Sequence, residues 1–173
     1  MKKIMIAAAI VMLGIVANAA AVGWQLMGAA AYKNSDYAVY VIGQNGVTSV
    51  DQITALVAAG TDTSAYAFAE GTVGATGMAT VGNTASGKTI TYSGTGTDTY
   101  QAFAVLWGAD GSSASVTSVA TISMDNDSTG KTFTFGNQAT NLANNSFAVV
   151  PEPTSGLLLL LGVAGLALKR KRA

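Results

Sequence analysis

The chain contains no histidine and no cysteine among its 173 residues. Without imidazole there is no Ser-His-Asp triad, no histidine general base and no histidine-ligated metal. Without thiols there is no cysteine nucleophile, no zinc-thiolate centre and no disulfide. Charge is scarce too: 10% of the residues are charged, against about 25% in an ordinary soluble domain. Only two prolines occur, Pro151 and Pro153, both near the C-terminus. Any fold must therefore be held by packing and hydrogen bonds alone, and acid-base chemistry would fall to carboxylates.

The formal net charge of 0 conceals an uneven distribution. Lys2 and Lys3 give the N-terminus +2, and Lys169, Arg170, Lys171 and Arg172 against Glu152 give the tail +3. Residues 21–150 carry −5. A nucleic-acid partner, which requires a basic footprint to displace counterions, is disfavoured for that central part.

The first residues read MKKIMIAAAIVMLGIVANAA. Two lysines, an apolar stretch from Ile4 to Ala17 and the small-x-small pattern Ala17-Asn18-Ala19 are the three regions of a secretory signal peptide. Residues 1–19 are accordingly expected to be a cleaved signal helix, with Ala17 and Ala19 marking the cleavage site. An uncleaved anchor is the alternative, but the apolar core is short.

The last residues read VVPEPTSGLLLLLGVAGLALKRKRA. The apolar run Leu157–Leu168, 12 residues, spans only about 18 Å as a helix, against a bilayer core of about 30 Å. With flanking residues the hydrophobic helix is placed at 155–168. It has no polar face to suit a buried helix of a globular domain. The basic tail Lys169, Arg170, Lys171, Arg172 is a stop-transfer charge that stays cytoplasmic. Residues 20–149 are then an exported domain, and the membrane is an expected partner.

Pro151-Glu152-Pro153, a short apolar helix and a terminal basic cluster, in that order, resemble the PEP-CTERM sorting signal. The resemblance covers residues 150–173. It implies an exported bacterial protein, held briefly in the inner membrane and cut near the motif 151–153 by an exosortase, a membrane-embedded processing enzyme of bacteria that make exopolysaccharide. It implies delivery to the cell surface or extracellular matrix, and it brings exopolysaccharide into view as a further partner. Pro151, Glu152 and Pro153 are then recognition residues of a substrate. Both prolines fix their own φ and bias the preceding residue to extended backbone, so the segment approaches the helix in a stiff, non-helical form.

In the middle of the chain, residues 36–43 and 102–108 are apolar, aromatic and β-branched runs. Each is followed by a turn containing Asn-Gly or Asp-Gly, which predicts two buried strands. Between them Ser49 and Gln52 have the spacing of a capping box, Ile53, Leu56 and Val57 share a helical face, and Gly60 can terminate the helix. That helix is expected to pack on the edge or end of a sheet.

Residues 82–89, GNTASGKT, have the letters of a phosphate-binding loop. Gly82, Gly87, Lys88 and Thr89 would be its fixed positions. The sequel is wrong, because a phosphate cradle needs a helix opening at Lys88 and Thr89. GKTITYSG at 87–94 is echoed by GKTFTFGN at 130–137. Both alternate with period two, placing Ile90 with Tyr92, and Phe133 with Phe135, on one strand face each. The phrase is therefore expected to start strands, and no nucleotide is assigned.

Asp125 and Asp127 occupy the first and third positions of an Asp-rich calcium loop, but the twelfth position is Gly136 where a bidentate Glu is required. A polar hairpin turn is the preferred reading. Trp24 and Trp107 read as core or strand-packing residues rather than a sugar-stacking platform. No carboxylate pair is set for acid-base work, so no catalytic residue and no cofactor are assigned, and the protein is expected not to be an enzyme.

The expected architecture is mainly β: one small β-sandwich-like domain with seven to nine strands and one short helix, flanked by the N-terminal signal helix and the C-terminal hydrophobic helix. The expected role is that of a surface or extracellular-matrix protein, structural or adhesive. The alternatives are a surface carbohydrate- or calcium-binding module and a permanently membrane-anchored domain.

Overall fold

The computed structural model describes residues 18–93, 96–125 and 129–150. The apolar part of the signal segment, Ala17, Asp127, the motif Pro151-Glu152-Pro153, the hydrophobic helix and the basic tail lie outside the described residues. Those described are mainly strand and form two sheets.

The first sheet is built on β1 (Asn18–Met27). Along one edge β5 (Thr89–Tyr92) and β4 (Ala79–Val81) pair antiparallel with its first and second halves. Along the other edge β9 (Gly130–Asn137) pairs parallel to it. The second sheet runs β10-β7-β6-β2-β3. Its members are β2 (Asp36–Val41), β3 (Ala69–Thr72), β6 (Asp98–Trp107), β7 (Ser113–Val116) and β10 (Ser146–Ala148). β8 (Ala120–Met124) continues where β7 stops, pairing with the first half of β6. At the break the Thr117 hydroxyl accepts from the Ala104 N–H at 2.9 Å while the Thr117 N–H donates to the Ala104 carbonyl at 2.9 Å. A side chain thus replaces one rung of the ladder, and the strand is interrupted without leaving a buried donor unpaired.

Three layers result. Val22, Trp24, Leu26, Ile90, Phe133 and Phe135 of the first sheet pack with Val39, Val41, Ala104, Leu106, Ile122 and Met124 of the second. Inside this core the Trp24 indole N–H donates to the Tyr37 hydroxyl at 2.7 Å. The opposite face of the second sheet carries its own cluster, in which Ala38, Tyr40, Phe103 and Val105 meet Ile53 and Val57 of α1 (Val50–Ala58). Each of those two helix residues, fully buried, contributes roughly 1.5–3 kcal/mol. α1 therefore lies on the face of a sheet, where the sequence suggested an edge or end. β2 and β6 read as unbroken apolar runs because both their faces are covered.

α1 begins and ends by local rules. The Ser49 hydroxyl accepts from the Gln52 N–H at 3.1 Å, but Gln52 Oε1 accepts from the Thr48 N–H at 2.7 Å, one residue earlier than in a capping box. Gly60, with φ +74°, closes the helix: Gly60 N–H donates to Val57 and Thr61 N–H to Leu56. This pair of bonds is a Schellman end. A second helix, α2 (Ala139–Asn144), adds to the one expected from sequence. Its six residues bury only Leu142, too little for a readable period. The described strands number ten, one more than the upper expectation.

Both Gly-Lys-Thr phrases do start strands, and both strands pair with β1. Thr89 and Gly130 are the partners of the same residue, Ala21, from opposite sides. Ile90, Tyr92, Phe133 and Phe135 are all buried, as the alternation requires.

Candidate functional site

The described chain ends in a strap over the outer side of the second sheet. Residues 146–148 pair antiparallel with β7, Ser146 with Ser115, Phe147 with Ala114 and Ala148 with Ser113. Phe147 is half-buried while its neighbours are exposed. Beyond the strand, the Val149 N–H donates to the Ser112 carbonyl and the Val150 N–H to the Ala58 carbonyl, each at 2.9 Å. The last four carbonyls of a helix have no partner within it. In α1 they are taken by Ala59, Thr61, Gly60 and Val150. Val150, 62% exposed, is thus the cap of the final carbonyl although it lies 92 positions downstream of Ala58. Pro151, which has no N–H to donate, follows immediately.

Of the other residues singled out in the sequence, Ala19 lies within β1, paired with Thr91, and Asn18 pairs with Tyr92. Asp125 is exposed at the end of β8. Among the described residues no group of three acidic side chains could hold a metal ion. Thr89 opens a strand directly after Lys88, where a phosphate loop would open a helix. The preceding loop is committed to the fold: the Ser86 hydroxyl donates to the Val22 carbonyl, and the Lys88 N–H donates to the Ser86 oxygen at 3.2 Å. A Cβ on Gly23 would stand 2.3 Å from the Val81 carbonyl oxygen and 2.5 Å from the Asn83 nitrogen. The stretch GNTASGKT is where a loop closes against the backbone of β1.

One feature was not read from sequence. Trp24 is core, but Trp107, at the end of β6, is only half-buried and stands between two clefts. One, of about 290 Å³, is lined on its other side by Asp62, Thr63, Ser64 and Val149. The second, of about 420 Å³, lies over Asp36, Ala38, Gly71 and Thr72, and Glu70 borders both. Neither cleft is lined by a lysine or arginine. The Asp62 carboxylate accepts from the Ser64 N–H at 2.9 Å, which holds its carboxyl below the ordinary range. Burial pushes the Tyr40 phenol up; the bond to Thr63 opposes this, and the charges of Glu70 and Asp62 add to it. Asp62 and Glu70, eight positions apart, line the same cleft beside Trp107. The sequence signal was weak: a tryptophan at the wet end of an otherwise buried strand.

The strap runs without a spacer into the segment Pro151-Glu152-Pro153, and the comparison with known families decides what that segment is. Residues 149–172 match the PEP-CTERM protein-sorting motif. The PEP-CTERM match begins at Val149, so it overlaps the folded domain by the two residues that are hydrogen-bonded to Ser112 and Ala58. It takes in Pro151, Glu152, Pro153 and the basic residues Lys169 to Arg172. The PEP-CTERM motif indicates export and C-terminal sorting by an exosortase, which is the processing partner it implies. No curated protein and no solved structure matches the chain. Among the described residues no helix is long and apolar enough to cross a membrane.

Proposed function

We propose that the protein is a non-enzymatic component of the bacterial cell surface or extracellular matrix, structural or adhesive, and associated with exopolysaccharide. It enters the export pathway through residues 1–19, is cut near Ala19, and is held in the inner membrane by residues 155–168 until an exosortase cuts near Pro151-Glu152-Pro153. The observation that carries this reading is the sorting motif at 149–172 joined directly to a domain held by packing and hydrogen bonds. A domain with no disulfides and no residues for thiol or imidazole chemistry fits a structural role better than a catalytic one. The test is fractionation of the native host with and without its exosortase. The protein should move from surface and medium fractions to the membrane when the enzyme is deleted. The same distribution in both strains would remove the proposal.

A second reading, a carbohydrate-binding module, is favoured by Trp107 and its clefts. An aromatic wall beside carboxylates and the hydroxyls of Thr61, Ser64 and Thr72 suits a polyhydroxylated ligand without negative charge. Trp107→Ala should weaken binding of a neutral or glucosamine tetrasaccharide about tenfold, equivalent to about 1.4 kcal/mol. Isothermal titration in which the wild-type protein takes up neither sugar would end this reading.

A further inference from the structure

We infer that the processing site extends upstream of Pro151 into the folded domain, so that residues 146–150, the last strand and the two residues that follow it, are also the upstream half of the segment the processing enzyme must hold. The inference rests on the exosortase reading above.

Its basis is the use of the backbone. Enzymes that cut or bind an extended peptide commonly hold it by main-chain hydrogen bonds, in the manner of an added strand. On the N-terminal side of the PEP segment the groups facing the domain are engaged: Ser146, Phe147 and Ala148 lie in the β7 ladder, the Val149 N–H donates to Ser112 and the Val150 N–H to Ala58. Only the six residues 151–156 separate Val150 from the apolar run beginning at Leu157. Fully extended they reach at most about 20 Å. A membrane-embedded enzyme therefore meets the motif with the domain directly against it. It can enclose residues upstream of the motif on both sides only after the strap leaves β7.

The strap is suited to leaving. It is three residues of edge strand with exposed, half-buried and exposed side chains; it contributes nothing to the core between the sheets, and only Phe147, with Val149 beyond it, packs on the outer cluster. Two states of the substrate follow: strap down, in which residues 146–150 are held on the domain, and strap released, in which they are free for the processing enzyme to hold. Cleavage hydrolyses one peptide bond near the motif, water supplying the oxygen of the new carboxylate and the proton of the new amine. After a cut beyond Val150, the strap can return to β7 and to Ala58, so the mature domain keeps its full sheet.

The test locks the strap in the full-length chain in its native host. Ala148 and Ser113 are antiparallel partners, with the Cα separation of about 4.5–5.5 Å that such pairs have and a disulfide accepts. The chain has no other cysteine, so the double variant Ala148→Cys, Ser113→Cys can form only this bridge within itself. The processed fraction is read from intact C-terminal mass. Processing should fall at least tenfold in the oxidised variant and return on reduction. A second variant adds six Gly/Ser residues between Val150 and Pro151 to the locked chain, and processing should be restored with the bridge intact. Normal processing of the locked chain, or failure of the spacer to restore it, would overturn the inference. An unprocessed wild-type chain would instead remove the exosortase reading beneath it.

Discussion

The Val150 N–H donates to the Ala58 carbonyl at 2.9 Å, tying the residue before Pro151 to the end of α1. The C-terminus of the helix and the entrance to the sorting segment are therefore one structural feature. Removing everything after Val150 preserves this bond. Chemical denaturation of residues 18–150 and of a chain continuing to Pro153 should agree within about 0.5 kcal/mol. Ending the chain at Asn145 removes β10 from β7, frees the Ala58 carbonyl and takes away the half-buried Phe147 ring. That truncation should cost about 3 kcal/mol, from the ladder to β7 and the bonds of Val149 and Val150, exposed ones worth about 0.5 kcal/mol each, and from partial burial of one aromatic ring.

Trp24 and Tyr37 form a buried hydrogen bond between the two sheets. Tyr37→Phe leaves the indole N–H buried without its acceptor, a loss of about 1–3 kcal/mol. Urea unfolding is the measurement. A change below 0.5 kcal/mol, on the order of a surface substitution, would mean that water replaces the phenol.

Stability should fall on the alkaline side. Burial raises the Tyr37 and Tyr40 phenols above their ordinary value of 10.0, against the lowering by their bonds to Trp24 and Thr63. A folded-state pKa above the unfolded one gives stability that is complete below about pH 10 and lost as pH rises towards the folded value. At the acid end the signs reverse. Hydrogen bonds from Ser64, Ser93 and Ser112 hold the carboxyls of Asp62, Asp98 and Asp110 below 3.8. Their contribution is present above that value and lost as pH falls through the lower, folded one. Melting temperatures recorded from pH 2 to 11 should show both declines, and Tyr40→Phe should blunt the alkaline one.

The loop GNTASGKT should behave as structure. Gly23→Ala forces a Cβ into the backbone of residues 81–83, at a cost of about 3 kcal/mol. Lys88→Ala removes an exposed side chain and should change stability by less than about 0.5 kcal/mol. Melting temperature in the presence of ATP and magnesium should be unchanged for both. An upward shift for the wild type, lost in Lys88→Ala, would restore the phosphate reading.

What could be read from sequence was what local pattern decides. β2 and β6 announce themselves because both faces are buried, β5 and β9 because their apolar residues alternate, and α1 because Ser49, Ile53, Val57 and Gly60 each obey a local rule. β1 was illegible. Its first residues, Asn18 to Ala21, are small and continue the apolar run of the signal segment, and its three partners lie 53 or more positions away. α2 is too short to show a period. The placement of α1 on a sheet face was implicit in the two-sided burial of β2 and β6, a non-local inference. At the site, Pro151-Glu152-Pro153 and the basic tail were legible because a short linear motif carries them. The capping of Ala58 by Val150 was not, since it joins two segments that nothing in the pattern connects.

The most direct test is the intact C-terminal mass of the protein purified from the surface and medium of its native host. Sorting predicts a chain ending near Pro151-Glu152-Pro153, without residues 155–173. A chain retaining its C-terminus through Ala173, found in the membrane, would contradict it and make the helix a permanent anchor.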